Sequence, residues 1–577
     1  VAGVRTVIIA VGFVVAALAI YVANGEFIGS YDSLPNSLLV LNAAETGRLD
    51  FDRFRNGYFR ALGAQYAFVE APDGHLTSVF PIGTAIVTAP IYAAFAIARA
   101  ADPAAPPLTS PAAEPERRRD EKFAAALIAA LAVGLCWCTA RFLGTPFQAA
   151  IATAVFAVCT PMWSIASQAL WQHGPVNLAV LAAVYALLRA GRSAGVARVR
   201  WVALAGIVAG LLPVIRPTAL VFSLAAAAVV WAAQRPRAGW FAGGVALGIA
   251  PGLAWNLIVF HALAGGYGVD ARAFGADLPR TAGAFAGLLI SPSRGLFIFA
   301  PVLVFAIAGA VRAARRRERD DGVLLAFAAA SVALTLVYAF FPTWWAGYTY
   351  GPRFLSDVAG IASLLLIGVI PPALVAARRT AAATFGAVAF ATAAFASLVI
   401  QFAGANGGAA GSDWNAVPVS VDLAPERVWD LRDTQIRRNV LGAYYRFFPP
   451  AAAAPAAASV VGISAEPRQV GATTYALVRA TVAEAGGPPL FGYASGRYAG
   501  QVRVRVHVTD ADGTPVSDQL LYVADRLAPG ERRTAAGLIR IPLPPARYRV
   551  VCEPMVVGGA IVRDRAPFVA RLGGTPI

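Results

Sequence analysis

Eleven apolar runs, most close to the ~20 residues that a bilayer-crossing helix needs, lie near residues 4–24, 122–142, 145–164, 174–190, 201–216, 217–234, 239–260, 295–313, 322–341, 355–376 and 380–403 of this 577-residue chain. With 58% hydrophobic and only 14% charged side chains, the polar surface cannot cover such runs in water. The chain therefore reads as a mainly α polytopic membrane protein. The first run, "VRTVIIAVGFVVAALAIYVAN", has no small-residue cleavage site and is long for a signal-peptide core, so it is expected to persist as a helix.

A further segment, "GTAIVTAPIYAAFAIARA" (83–100), is apolar but short and interrupted by proline, and it decides the sidedness of everything after it. If it does not cross fully, the short loops on the N-terminal side carry fourteen arginines: Arg141, Arg189, Arg192, Arg198, Arg200, Arg235, Arg237, Arg312, Arg315, Arg316, Arg317, Arg319, Arg378 and Arg379. The opposite loops carry five: Arg216, Arg272, Arg280, Arg294 and Arg353. Basic loops stay cytoplasmic. Residues 83–100 are therefore expected to be re-entrant or interfacial, giving about eleven spans with the N-terminus in the cytoplasm. "PERRRDEK" (115–122) then lies outside as a local exception, together with the long first loop 25–121 and everything after about 404. The bias to arginine and alanine suggests a bacterium of high GC content, and hence its cytoplasmic membrane.

From about 460 the pattern changes to short alternating runs such as "QVRVRVHVTD" and "ARYRVVCEPMVV", separated by turns such as "DADGTP". An extracytoplasmic β-sandwich is expected over 460–577. A transmembrane domain over 1–405 precedes it, joined by an amphipathic segment and the Ala/Pro-rich linker "FFPPAAAAPAAASV" within 406–459. The net charge of +16 is mostly arginine between apolar runs, with no stacking-rich basic groove, so nucleic acid is not an expected partner. Cys136, Cys138, Cys159 and Cys552 have the spacing of neither a disulfide framework nor a zinc site. No nucleotide-binding loop or nucleophile elbow is present.

The polar groups suited to chemistry gather on the expected outer side. Asp32 in "YDSLPNSLL" is placed either to cap a short interfacial helix or to act as a base. Asp50 and Asp52 in "GRLDFDRF" suit sugar hydroxyls or a divalent cation, although an exposed turn has the same pattern. His75 suits a phosphate oxygen. His173, with Trp171 and Gln172, stands at the mouth of a helical hairpin, and Arg216 in "VIRPTAL" is a lone charge between two apolar runs. Arg294 and Arg353 add two more guanidinium forks, which match phosphate geometry. Trp344, Trp345, Tyr348 and Tyr350 form either an interfacial belt or platforms for a sugar ring.

These segments carry a resemblance. "SYDSLPNSLL", "SVFPIGTAIVTAPIY", "LWQHGP", "ISPSRGLFIFAPVL", "WWAGYTYGPRFL" and "PERVWDLRDTQ" are similar to recurrent motifs of a bacterial branch of the GT-C superfamily of integral-membrane glycosyltransferases, over most of residues 1–440. Its relatives include protein O-mannosyltransferases and the aminoarabinose transferase of lipid A. The resemblance implies transfer of a sugar from a polyprenyl-phosphate donor to a glycan, lipid or protein acceptor at the outer face, usually with inversion. It makes Asp32 the general base, Arg216, Arg294, Arg353, His75 and His173 donor-phosphate contacts, and Asp50, Asp52, Trp171, Gln172, Trp344, Trp345, Tyr348 and Tyr350 sugar or acceptor contacts. His173 occupies a position where many relatives carry an acid, which departs from a two-carboxylate or metal-bridged site. A divalent cation is possible but not required. A flippase for lipid-linked sugars would need polar groups at mid-membrane depth, and a non-catalytic glycan-binding assembly protein would use the β-domain alone.

Overall fold

The computed structural model describes residues 2–577 apart from 56–64, 267–277, 371–380, 450–455, 471–472, 485–489, 498–499, 542–547, 558–560, 563–567, 572–577 and the single positions 511 and 529. Arg272, Arg378, Arg379 and the end of the run 355–376 lie outside the described residues. The chain divides into two compact units, Val1–Ala405 and Asn406–Ile577.

The first unit is helical. Its main elements are α1 (Ala2–Val22), α2 (Leu34–Thr46), α3 (Gly83–Ala101), α4 (Glu114–Ala140), α5 (Pro146–Val158), α6 (His173–Arg192), α7 (Gly195–Ile215), α8 (Leu220–Ala233), α9 (Ala238–Phe260), α10 (Leu278–Ile290), α11 (Val304–Arg316), α12 (Asp321–Ala339), α13 (Ala359–Leu366) and α14 (Ala381–Asn406). Among the described residues, eight helices are long and apolar enough to cross a membrane. Seven of the eleven expected runs are among them, and the eighth is α3, which is expected not to cross. The other four fall short because the runs over 295–313 and 355–376 are broken into short turns before α11 and α13 and α5 and α8 are short. α3 is one continuous helix through Pro90. It shares a hydrophobic core with the first loop, where its Ala85 and Tyr92 pack among Leu34, Leu38, Phe51 and Phe68.

Two features follow from packing. "PERRRDEK" is not an exposed loop, because α4 begins at Glu114 and buries Arg117, Glu121 and Lys122. Helical spacing pairs Arg117 with Glu121 at 2.9 Å and with Glu114 at 2.7 Å, and Glu121 also accepts the Leu170 amide at 3.2 Å. Buried charges survive only when paired in this way. The second is a close crossing of α7 and α9 on glycines four apart. A Cβ at Gly206 or Gly210 would stand 2.2 or 2.3 Å from a carbonyl of α9, and one at Gly248 would stand 2.0 Å from the Ile207 carbonyl. Small residues at this spacing let helix backbones touch.

In the second unit, β3 (Ala456–Val470), β4 (Thr473–Glu484), β7 (Arg532–Arg540) and β9 (Ile561–Val562) form one four-stranded sheet in the order β7-β4-β3-β9. β5 (Val502–Thr509), β6 (Pro515–Tyr522), β8 (Arg549–Val556) and β10 (Phe568–Arg571) form another, in the order β10-β8-β5-β6. β1 (Phe68–Glu70) and β2 (Leu76–Ser78) are a small hairpin in the first loop. Alternate residues of both large sheets, among them Ala476, Val478, Val504, Val506 and Val550, enter one core, as a period of two requires. β3 starts inside the stretch expected to be a linker.

Candidate functional site

Asp32 lies in a single tight turn, Tyr31–Ser33, just before α2. It does not cap that helix. Ser33 holds the cap position without a side-chain bond, and both Asp32 oxygens are engaged elsewhere. The Tyr66 hydroxyl donates to Oδ1 at 2.8 Å, and Arg353 Nη2 donates to Oδ2 at 2.5 Å across 321 positions of sequence. Arg353 also lies over the Trp171 indole, 4.8 Å from its centroid, and Trp171 Nε1 donates to Ser30 Oγ at 3.2 Å. Burial acts to raise the Asp32 pKa, but the charge and hydrogen bond of Arg353, with donors from Tyr66 and Ser30, bring it below the ordinary carboxylate value. Asp32 is therefore a carboxylate held by a cation. The Tyr66 phenol is raised above its usual value by burial first and by the Asp32 charge second, so it remains a donor.

Arg353 opens the short turn Arg353–Val358, and one helical turn later the same segment presents Asp357. Asp357 Oδ1 accepts from His173 Nδ1 at 2.7 Å, with both side chains fully buried. Arg216 Nη1 stands 3.1 Å from His173 Nε2, Arg216 Nε donates to Tyr338 Oη at 2.7 Å, and the same Nε lies 3.7 Å from Asp357 Oδ2. A neutral imidazole with its proton on Nδ1 satisfies both neighbours. Local sequence sets this up. Pro217 disfavours a helical conformation at Arg216, whose backbone leaves α7 extended at φ −153° and ψ 119°. Asn177 Nδ2 donates to the Ser356 carbonyl at 2.9 Å, which fastens α6 to the turn.

Trp171 and Gln172, just before α6, and the Arg353–Val358 turn are thus held together. Among the described residues, buried Arg353 Nε, Gln172 Nε2, Ser356 Oγ and Asp357 Oδ2 on these two segments have no hydrogen-bond partner, the last being the oxygen 3.7 Å from Arg216 Nε.

The other sequence candidates stand differently. His173 is not exposed at a mouth, because its ring is enclosed between Asp357 and Arg216. Arg294 donates to the carbonyls of Trp345, Ser293 and Gly347 at 2.6, 3.0 and 3.0 Å, which makes it a brace between its own turn and the Trp345–Gly347 turn. Trp344, Trp345 and Tyr350 are buried, and Tyr350 Oη donates to the Ile400 carbonyl, so only Tyr348 offers an exposed ring. His75 Nδ1 is 2.5 Å from Asp52 Oδ2. Asp50, Asp52 and His75 offer ligand atoms within 4.8 Å of one another, a set that suits a transition metal better than magnesium. Arg48 pairs with Asp50 at 2.7 Å and Arg55 with Asp52 at 3.4 Å, so these carboxylates are already neutralised by the chain itself.

Tyr66 and Asp357 escaped the sequence reading. For Asp357 a signal exists: spacing of four after Arg353 places both on one helical face. Tyr66 carries none, since only the folded loop brings it to Asp32.

No family model matches the chain, and no curated protein matches it in sequence. Solved structures similar to it include the oligosaccharyltransferase AglB from Archaeoglobus fulgidus in complex with an inhibitory peptide and a dolichol-phosphate, at 13% identity and a TM-score of 0.41, over 73% of this chain and 59% of that one. ArnT from Cupriavidus metallidurans bound to undecaprenyl phosphate is similar at 14% identity and a TM-score of 0.41, over 77% and 72% of the two chains. The arabinosyltransferase EmbB from Mycobacterium smegmatis is similar at 13% identity and a TM-score of 0.36, over 95% and 64%. The chain spans about three-fifths of the length of the first of these. These three structures are of GT-C glycosyltransferases.

Proposed function

We propose that the protein is a membrane glycosyltransferase that moves a sugar from a polyprenyl-phosphate donor to an acceptor hydroxyl on an envelope glycan, lipid or protein, with inversion and with Asp32 as general base. The observation that carries this reading is the Asp32–Arg353 pair set beside the Arg216 cluster, with the Arg353 Nε, Gln172 Nε2 and Ser356 Oγ groups left unsatisfied. Buried polar groups without partners are costly, and several within one site call for a ligand. A phosphate fits, since it accepts from Arg353, Gln172 and Ser356 alike.

In the reaction the acceptor oxygen attacks the anomeric carbon while Asp32 takes its proton. The bond from that carbon to the phosphate oxygen breaks, and polyprenyl phosphate leaves with both electrons. Arg353 and Arg216 stabilise the charge that develops on the leaving group. The same reading puts about eleven crossings in the first unit with α3 lying along the interface, and makes the second unit an extracytoplasmic β-sandwich. The N-terminus is then in the cytoplasm.

The test is transfer by the purified chain in proteoliposomes, supplied with radiolabelled polyprenyl-phosphate sugars and an envelope extract as acceptor. Label should leave the prenyl fraction with the wild-type chain, and Asp32→Asn should slow this ~10²–10⁴-fold while the protein stays folded. Transfer at the wild-type rate by Asp32→Asn removes the base assignment, retention by Arg216→Ala as well removes the phosphate-clamp assignment, and no transfer by the wild-type chain removes the enzyme reading.

A further inference from the structure

The second unit begins at Asn406, where α14 ends, and α14 is long and apolar enough to cross a membrane. The same unit then forms an amphipathic helix, α15 (Gln435–Phe447), capped by Thr434, whose Oγ1 accepts the Arg437 amide at 3.1 Å. One face of α15 is fixed inward. Gln435, Arg438, Asn439, Gly442 and Ala443 are buried, the Arg438 guanidinium stacks 4.5 Å from the Tyr493 ring centroid, and a Cβ at Gly442 would meet the Gly407 carbonyl at 2.2 Å. The opposite face, at steps of three and four, carries Arg437, Val440, Tyr444 and Phe448. Tyr444 is 54% exposed and Phe448 65%, with their rings 5.2 Å apart. The loop before α15 adds exposed Leu423 and Trp429, and Leu431 at 79% exposure.

We infer that this face of α15, with Leu423, Trp429 and Leu431, docks on the phospholipid surface at the end of the membrane where α14 emerges. Two observations choose that occupant. The chain leaves α14 shortly before this face, so a bilayer surface is within its reach. Tyrosine and tryptophan beside arginine are the composition of membrane interfaces, and Arg432 and Arg437 flank the apolar residues here. The helix is rigidly mounted, so the face cannot turn inward to shed its exposed area, and each square ångström covered by lipid contributes about 25 cal/mol.

The test uses the full chain in phosphatidylglycerol–phosphatidylethanolamine nanodiscs, with nitroxide labels at Tyr444→Cys, Phe448→Cys and, as a control, Asp512→Cys in the β5–β6 turn. Wild-type protein, whose cysteines are largely buried, is the labelling blank. Labels at 444 and 448 should be several-fold more accessible to oxygen than to a water-soluble nickel chelate, with the reverse at 512. Preference for the chelate at 444 and 448, or exclusion of both reagents by a protein or glycan partner, overturns the inference. Should the labelled variants not fold, the difference in emission between wild type and Trp429→Phe gives a second reading. Headgroup-proximal brominated lipid should quench it, and an unquenched difference overturns the inference equally.

Discussion

Replacing Asp357 examines the least exposed part of the site. Asp357 and His173 are fully buried, and Arg216 is nearly so. At the 3.7 Å between Arg216 Nε and Asp357 Oδ2, unit charges attract by roughly 4 kcal/mol at the effective dielectric of about 20 that describes protein sites. Asp357→Ala removes this attraction and the acceptor of the His173 Nδ1 proton at 2.7 Å, leaving a guanidinium buried without its counter-ion. Breaking a buried pair from one side costs ~3–5 kcal/mol. Asp357→Asn keeps an acceptor for His173 and loses only the charge, so its cost should be smaller. The assay is thermal unfolding in nanodiscs, followed by a reporter in the first unit, together with the KM for the prenyl donor. Both variants should lower the Tm of the first unit, Ala more than Asn, and raise donor KM because Arg216 loses its bracket. If Asp357→Ala leaves stability within about 0.5 kcal/mol of wild type, the scale of an ordinary surface change, the account of the cluster is wrong.

Three further outcomes are expected. Arg353→Gln should raise donor KM and move the acid limb of the pH–rate profile upward, because Arg353 is what holds the Asp32 pKa down; an unmoved limb would separate Arg353 from the base. In the first loop, Asp52 raises the pKa of exposed His75 by its hydrogen bond and charge, so any stabilisation from the pair is full below the ordinary histidine pKa and lost as pH rises through the elevated one. Histidine NMR titration of Asp52→Asn should show the His75 value falling, and an unchanged value refutes the pairing. Gly248→Ala places a Cβ 2.0 Å from the Ile207 carbonyl, whereas Gly243→Ala on the same helix meets nothing within 4 Å. The first should cost ~1–3 kcal/mol by overpacking and the second almost nothing, and equal melting temperatures would deny the close crossing.

Much of the helical unit is legible in the chain because a crossing helix announces itself by length and apolarity alone. The exceptions have physical reasons. The run over 295–313 is apolar enough, but Pro301 and its neighbouring turns break it, and hydropathy does not register a broken backbone. "PERRRDEK" has the look of a solvated loop because its charges are counted singly. Arg117 and Glu121 are tolerated inside only as partners, at a helical spacing that charge composition does not reveal. At the site, lone arginines in apolar surroundings point to Arg216 and Arg353, yet Arg294 carries the same signal and donates to backbone carbonyls, two of them in the distant Trp345–Gly347 turn. The aromatic cluster 344–350 could not be sorted from sequence, since a buried Trp345 and an exposed Tyr348 differ only in which way the turn faces.

The bond between Arg353 and Asp32 has a thermodynamic consequence. An anion that draws Arg353 away removes the charge holding the Asp32 proton affinity down, and a proton on Asp32 weakens the bond that competes with the anion. The two are linked ligands, and linkage of binding is reciprocal. On the proposed reading, a donor phosphate arriving at Arg353 makes Asp32 a stronger base at the moment an acceptor needs one. Anion affinity should then rise as pH falls through the Asp32 titration, a dependence that phosphate alone, without any sugar, is enough to report.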